Sequence, residues 1–504
     1  MIFEILILTL LAILAYFYKI LRQRYSYWQT LGIACDEPTF LLGNITGIGS
    51  KRAFVEIWQQ FYDKYKNTGP FAGFYWFFKP AVFVFDPALL KLILIKDFSK
   101  FVDRGFYVNE EDDPLSGMLF NLEGNKWRHM RNKLSPTFTS GKMKTMFPII
   151  TNISKEFVQV FGNAAKENDI IEVGDLMARF TTDVIGSCAF GLEMSSLRDP
   201  NNKFRMMGRK SIVEQRYGRI GIAFRNSFPQ LAKKLHMKDT LQEVEDFFMG
   251  IVKETVRYRE ENNVRRNDFM DMLIDLKNNK LMKSETGEEL TNLTLEEIAA
   301  QAFVFLVAGF ETSSTTMGFA LYELAQHEDI QQEAREEVRQ VLEKHNQEFT
   351  YEAMKEMMYL EQVIAETLRL YTVLPLITRY ASEDYPVPGH SKFVIKKDML
   401  VLIPAGAIHR DERYYPNPNV FNPDNFTADK VAQRDSVLHM PFGDGPRNCI
   451  GMRFGKMQAL VGLAVLLKNF KFSVCDKTQI PMKYDKNNFL CSSEGGIHLR
   501  VNRL

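Results

Sequence analysis

Cys449 closes the run Phe442-Gly443-Asp444-Gly445-Pro446-Arg447-Asn448-Cys449-Ile450-Gly451 and stands just before a long apolar helical stretch, Phe454 to Leu467. A thiol there meets the free amides of a helix start, and the helix macrodipole favours its anion. The thiolate is the form that binds metal. Gly443 and Gly445 permit turns closed to residues with a side chain, and Gly451 removes bulk beside the sulfur. Phe442 offers an apolar wall and Arg447 a cation. These residue types describe a cradle for a haem held by a cysteine thiolate. A single cysteine beside an apolar helix is otherwise a small buried hydrophobe, and Gly-Asp-Gly-Pro alone is an ordinary loop. The spacing of the whole set separates the two readings.

Further residues have types and spacings suited to the same chemistry. Ala308-Gly309-Phe310-Glu311-Thr312-Ser313 puts a carboxylate beside a hydroxyl within an apolar stretch, where packing alone would choose leucine. Small Ala308 and Gly309 would let something flat approach, and Gly309 costs a regular helix about 1 kcal/mol against alanine. The other reading is a crossing of small residues, with Thr312 hydrogen-bonded to a carbonyl one turn back. Glu366-Thr367-Leu368-Arg369 sets opposite charges on one helix face. A solvated pair of that kind contributes little, but Val363, Ile364, Leu368 and Leu370 surround this one. Trp127 and Arg131 lie one turn apart in Trp127-Arg128-His129-Met130-Arg131, and Arg379 follows Leu374-Pro375-Leu376-Ile377-Thr378. Each arginine taken alone is a surface cation. With Arg447 they form a set suited to anionic groups.

These residues need elements that carry them to one place. Thr294-Leu295-Glu296-Glu297 is a capping box, and no proline interrupts Ile298 to Gln326. The pattern predicts one continuous helix, on the order of 45 Å long at the usual rise per residue. Helices are also expected at Lys126–Leu134, Pro87–Ile95 and Tyr359–Tyr371. Phe71–Phe77 and Ala81–Phe85 read as strands joined by a turn at Phe78-Lys79-Pro80. From Lys142 to Lys344 helical periodicity dominates, with interruptions at Arg198–Asn202, Asn262–Asn267 and Ser284–Gly287. Strand patterns return at Phe393–Ile395, Met399–Leu402, Phe470–Val474 and Ile497–Val501. The layout is α+β, predominantly helical, with small β-sheets.

No Gly/Ser-rich stretch, charge block or repeat divides the 504 residues, which favours one large domain. A net charge of +1 gives no reason to expect nucleic acid. Five scattered cysteines do not make a disulfide framework and suit a reducing compartment. Met1 to Leu21 is almost wholly apolar, with Glu4 at one end and Lys19, Arg22 and Arg24 at the other. Spans of roughly 17–25 residues cross a membrane, and the trailing basic residues place the downstream chain in the cytosol. Bulky Tyr16-Phe17-Tyr18 replaces the small residues of a cleavage site, so a retained signal-anchor is expected. The division is residues 1–24 as anchor and 25–504 as catalytic domain.

Taken together, the motifs resemble those of cytochromes P450, in that family's order along almost the whole chain. The cysteine run matches the haem-binding signature Phe-x-x-Gly-x-Arg-x-Cys-x-Gly at every fixed position. Ala308–Ser313 matches the oxygen-activating helix motif, Glu366 and Arg369 match Glu-x-x-Arg, and Trp127 with Arg131 matches Trp-x-x-x-Arg. Tyr27-Trp28, Phe138-Thr139-Ser140-Gly141-Lys142-Met143 and Ala308–Thr312 carry a likeness to insect microsomal members linked to breakdown of insecticides, plant toxins and hormones.

The resemblance implies a P450 fold behind one N-terminal transmembrane helix, and haem b with Cys449 as the axial iron ligand. Arg447, Trp127, Arg131, Arg379, Phe442 and Gly443 would surround the haem. Thr312 would hold a water or dioxygen, Glu311 would bring protons, and Glu366 with Arg369 would brace the cradle. The implied reaction is monooxygenation of apolar small molecules at the endoplasmic reticulum and microsome membrane, with the catalytic domain facing the cytosol. Electrons would come from NADPH through a membrane-bound P450 reductase, with cytochrome b5 a further partner. The chain carries no dinucleotide fingerprint of its own. Lys133, Arg453 and Lys456 are candidates for docking the reductase. Asn425, in Pro423-Asp424-Asn425-Phe426, stands where the family supplies an arginine to Glu-x-x-Arg, and Thr372-Val373 stands where relatives often have Pro-Pro. Pocket walls are expected around 103–122, 204–219, 303–310, 372–378 and 489–493. Three other readings stay open: a reductase-independent isomerase or dehydratase of peroxides, a non-catalytic haem sensor, and a membrane-anchored helical scaffold without haem.

Overall fold

Apolar side chains gather into two clusters, one among the helices and one under a β-sheet. The cysteine loop runs along their seam: Val437 and Met440 belong to the sheet cluster, Phe442 and Phe454 to the helical one. The computed structural model describes residues 2–278, 292–390 and 393–504. The interruption expected at Ser284–Gly287 lies outside the described residues. Helix α1 (Ile2–Tyr25) is long and apolar enough to cross a membrane. It meets the body near its basic end, where Leu21 is buried and the Tyr18 ring approaches Phe40.

Strands β1 (Phe71–Trp76) and β2 (Lys79–Val84) form the expected hairpin, but Lys79 and Pro80, expected in the turn, are the first residues of β2 and pair with Trp76 and Tyr75. Its turn sits at Phe77, in the left-handed region at φ 55°. Helix α2 (Gly124–Leu134) follows, then α3 (Ser140–Glu167), β3 (Ile170–Glu172), α4 (Val173–Ile185) and α5 (Lys203–Val213). The oxygen-helix region is two helices, α6 (Leu295–Gly309) and α7 (Glu311–Gln326), not the continuous one expected. The Thr294 capping box opens α6 as expected, with both reciprocal bonds formed. Helix α8 (Met358–Leu370) carries Glu366 and Arg369.

Strands β4 (Ile377–Tyr380), β5 (Tyr385–Pro386), β6 (Val394–Ile395) and β7 (Leu400–Ile403) come next, then α9 (Met452–Asn469), β8 (Phe470–Ser473) and β9 (His498–Arg503). The main sheet has the order β1-β2-β7-β4, with β2 and β7 parallel. Arg379 pairs with Val401 there, which fixes its backbone. A second sheet, β3-β9-β8, ties the helical body to the C-terminus through short β3, a strand the helical periodicity hid. The chain is thus mostly helix with small sheets, as its patterning implied.

Candidate active site

The thiol loop is fixed by its glycines. Gly443 and Gly445 take φ of 72° and 69°, where a Cβ is disfavoured. A Cβ on Gly445 would also lie 1.8 Å from the Leu94 carbonyl oxygen. The turn they make lets the Cys449 amide donate to the Phe442 carbonyl at 2.8 Å, and α9 starts three residues later. Cys449 has free surface, yet burial is the largest influence on its thiol and pushes it up. Both hold when sulfur opens into an enclosed space rather than bulk solvent. The Gly451 amide and the Arg104 and Arg131 guanidiniums act the other way, toward the thiolate. The expected helix-start stabilisation is therefore one amide and two cations.

Cations crowd the same region with few counter-charges. Arg447 is buried against the Trp127 ring at 4.4 Å, donates to the Phe120 carbonyl at 3.3 Å and also to the Leu122 carbonyl. Arg131 holds Asn448 through its carbonyl (2.9 Å) and side-chain oxygen (2.8 Å). Arg379 is 1% exposed and donates to the Thr378 carbonyl at 2.8 Å. The Nε groups of Arg379 and Arg447 are buried without a partner. Burial, then Arg104 and Arg447, hold Arg379 well below the ordinary guanidinium range. Burial with Arg104 lowers Arg447 to about 9. Asp103 lies 3.9 Å from Arg447, too far for a direct hydrogen bond. Buried cations with orphaned donors call for an anionic guest.

Arg104 was absent from the residues singled out in the sequence. It donates to the Arg447 carbonyl at 2.9 Å, stacks over Phe120 at 4.1 Å and lies in the field of Cys449. A lone arginine in Asp103-Arg104-Gly105 carries no spacing signal, because its partner is 343 positions away.

A second wall for the space beside Cys449 would come from α6. Ala308 is exposed although Ala302 to Leu306 on the same helix are buried. Ala308, next to last in α6, is that helix's one exposed apolar residue, as the border of a void would be. Gly309 does not open that wall as expected; its missing Cβ would sit 2.4 Å from Ile185 Cδ1 on α4, so its smallness serves helix packing. The Thr312 hydroxyl donates to the Ala308 carbonyl at 2.6 Å. That is the bond of the plain packing reading, and it leaves the hydroxyl oxygen free to accept. Burial raises the Glu311 carboxyl, against the opposing pull of Arg209 and Arg205. A carboxyl so placed is suited to carrying a proton.

Glu366 and Arg369 are completely buried. Arg369 Nε and Nη2 each donate to a different Glu366 oxygen at 2.7 Å. Arg369 also holds the carbonyls of His409 (3.1 Å), Pro418 (2.8 Å) and Val420 (3.2 Å). The Asn422 amide and Asn425 Nδ2 donate to Glu366 at 2.9 and 3.2 Å. Asn425 therefore occupies the third place as a neutral donor.

Of the expected docking cations, Lys133 is buried, because it lies on the inward face of α2, and offers no surface. Arg453 is exposed, and Lys456 pairs with Glu361 at 2.7 Å. A surface groove of 840 Å³ lined by Asp329, Glu333, Glu336 and Glu356, among others, shares no residue with this site. A depression of 420 Å³ reaches Trp127, Arg131 and Pro446 from outside. Among the described residues no three His, Cys, Asp or Glu side chains are grouped to hold a metal ion. An iron at Cys449 would thus have that one protein ligand on its side, the arrangement a porphyrin completes. The thiol and the buried guanidiniums with orphaned Nε groups fit a haem with its two propionates.

A family model described as Cytochrome P450 matches residues 34–500. The chain is 62% identical to cytochrome P450 6a9 of Drosophila melanogaster over 503 residues, covering 100% of both chains. It is 50% identical to cytochrome P450 6a2 of the same organism, covering 99% of each. It is 47% identical to cytochrome P450 6A1 of Musca domestica, covering 98% of this chain and 96% of that one.

Proposed function

The chain belongs to the cytochrome P450 family, and from that premise we propose how this haem-thiolate monooxygenase uses its residues. Bound haem supplies the redox chemistry by which one atom of dioxygen enters the substrate and the other leaves as water. Cys449 would hold haem b through its sulfur, with the Gly451 amide, Arg104 and Arg131 opposing the burial that disfavours its thiolate. Arg447, Arg379, Arg131 and Arg104, with Trp127, would hold the propionates, and Phe442 and Gly443 would shape the loop beside Cys449. Thr312 accepts a hydrogen bond from a water in the void, since its own proton rests on Ala308. Glu311 carries protons between that water and the Arg205–Arg209 side of the molecule. Glu366 and Arg369 hold the chain that leads into the cysteine loop.

Residues 1–24 anchor the enzyme in the endoplasmic reticulum membrane, and residues 25–504 form the catalytic domain on its cytosolic face. NADPH-cytochrome P450 reductase delivers electrons, with cytochrome b5 as an auxiliary donor and Arg453 as one contact. The substrates are apolar small molecules, in line with breakdown of insecticides or plant toxins and with hormone metabolism.

The observation that carries this reading is the set of buried, partly orphaned guanidiniums converging on the space into which Cys449 opens. The experiment uses the full-length protein in membranes with reductase. The reduced carbon monoxide complex should absorb near 450 nm, the wavelength of the family's name, and an apolar substrate should be oxidised only with NADPH. An intact protein without that band overturns the haem-thiolate reading. A normal band with turnover of peroxides but none with NADPH favours the isomerase reading.

A further inference from the structure

We infer that Thr181 and Gln458 are positioning residues that hold the oxygen helix broken at Phe310 and so fix Glu311 and Thr312; this rests on the monooxygenase reading above. Nothing local in the sequence forces the break. There is no proline between α6 and α7, and Phe310 keeps helical dihedrals of −88° and −52°. What differs is the fate of successive carbonyls. The Ala308 carbonyl takes the Thr312 hydroxyl at 2.6 Å. The Gly309 carbonyl takes Gln458 Nε2 from α9 at 3.3 Å. The Phe310 carbonyl takes the Thr181 hydroxyl from α4 at 2.9 Å, besides the Ser314 amide at 3.1 Å. The break is thus bonded from both sides by helices of other parts of the chain.

Both side chains are costly where they sit. Thr181 and Gln458 are each 0% exposed. Gln458 Oε1 has no partner, so an aliphatic residue would suit packing better. Thr181 directs its hydroxyl to Phe310 although the Ala178 carbonyl of its own helix lies within 3.2 Å. Ile185, one turn on, closes against Gly309. A glutamine that keeps one end unpaired in order to reach the broken turn acts through its donor.

The consequence bears on proton handling. With the turn open, Thr312 is pinned by its own hydroxyl, which leaves its lone pairs free to accept. With the turn closed, backbone amides recover the Ala308 and Gly309 carbonyls and the hydroxyl rotamer is released. The reaction then loses its ordered water, and reducing equivalents drain to hydrogen peroxide.

The test compares full-length holoenzymes of Thr181→Val, Thr181→Ser, Gln458→Leu and Gln458→Met with the parent, at equal haem content. Hydrogen exchange of the Glu311–Ser313 amides should slow in Thr181→Val and Gln458→Leu as the turn closes. Product formed per NADPH should fall by about tenfold, the scale of a displaced catalytic group, with peroxide making up the difference. Thr181→Ser should match the parent in both. Lower thermal stability with unchanged exchange and unchanged product-to-peroxide ratio would mean the two residues only pack, and overturns the inference. Should Thr181→Val or Gln458→Leu fail to fold, Gln458→Met, which keeps length and loses the donor, decides by the same readouts. A parent with no NADPH-dependent turnover refutes the proposed reaction instead, while the exchange pattern still decides the fate of the turn.

Discussion

Glu366→Ala should cost this protein its haem and much of its folded population, and not merely its turnover. Among the described residues the carboxylate is the sole counter-charge given to Arg369, which is completely buried. Its removal deletes two bonds of 2.7 Å and leaves a guanidinium held by three neutral carbonyls. Removing one partner of such a pair costs about 3–5 kcal/mol. The Asn422 amide and Asn425 Nδ2 lose their acceptor as well, at about 1–3 kcal/mol for a buried group left unpaired. Against a margin of about 5–15 kcal/mol for a whole protein, little stability is left. The damage falls where it matters, because the His409 carbonyl that Arg369 holds belongs to a residue whose Nε2 accepts the Met440 amide at 2.9 Å, just ahead of Phe442. Asn425→Ala is the control: Glu366 keeps Arg369 and Asn422, so the loss should be about 1 kcal/mol. Soluble yield, haem per chain and unfolding midpoint measure both variants. A Glu366→Ala protein with full haem and an unchanged midpoint would refute the reasoning, as would an Asn425→Ala protein as damaged as Glu366→Ala.

Arg379→Met removes a buried cation that repels Arg104 and Arg447, so the haem-free protein should unfold at higher temperature while haem transfer to an acceptor protein speeds up about 10-fold or more, the loss of one charged hydrogen bond. Glu311→Gln should stabilise the protein at neutral pH. The folded Glu311 carboxyl is raised by burial, so wild type loses stability as pH rises above the ordinary glutamate value and through the folded one, and the gap between the unfolding midpoints should close again in acid. Gly443→Ala should keep its haem at a cost of about 1–2 kcal/mol for the left-handed backbone alone, since its nearest neighbour would be 3.7 Å from the new Cβ. Gly445→Ala meets the Leu94 carbonyl at 1.8 Å and should lose the thiolate spectrum; equal behaviour of the two would contradict the loop geometry.

What could be read from the sequence was what short spacing dictates. The Cys449 loop, the capping box at Thr294 and the Glu366–Arg369 pair are local, and the fold supplies their partners without moving them. The hairpin at Phe77 and the α1 helix follow from period and composition in the same way. What escaped was tertiary. Arg104 reaches the site across hundreds of residues, and β3 owes its existence to β9 at the far end of the chain. Lys133 looked like a surface charge because its helix face could not be oriented from so mixed a pattern. The break at Phe310 was illegible for a stronger reason: Phe310 accepts helix geometry and Gly309 only weakens it, while Thr181, Gln458 and Ile185 impose the interruption from α4 and α9.

The departures from ordinary packing are not scattered. Unpaired Nε groups on Arg379 and Arg447, left-handed glycines before Cys449, an exposed alanine in a buried helix and a helix turn opened by foreign side chains all fall on the cysteine loop, its arginines and the α6–α7 turn. Sequences tolerate such conflicts where function needs them. The balance of charge makes the point physically. Arginines driven below their ordinary range by each other and by burial raise the free energy of the empty fold, and a dianionic guest lowers it by supplying the missing acceptors. Haem binding is therefore linked to folding, and a variant that relieves the repulsion, such as Arg379→Met, must make the haem-free chain more stable and the haem-bound one less tightly held.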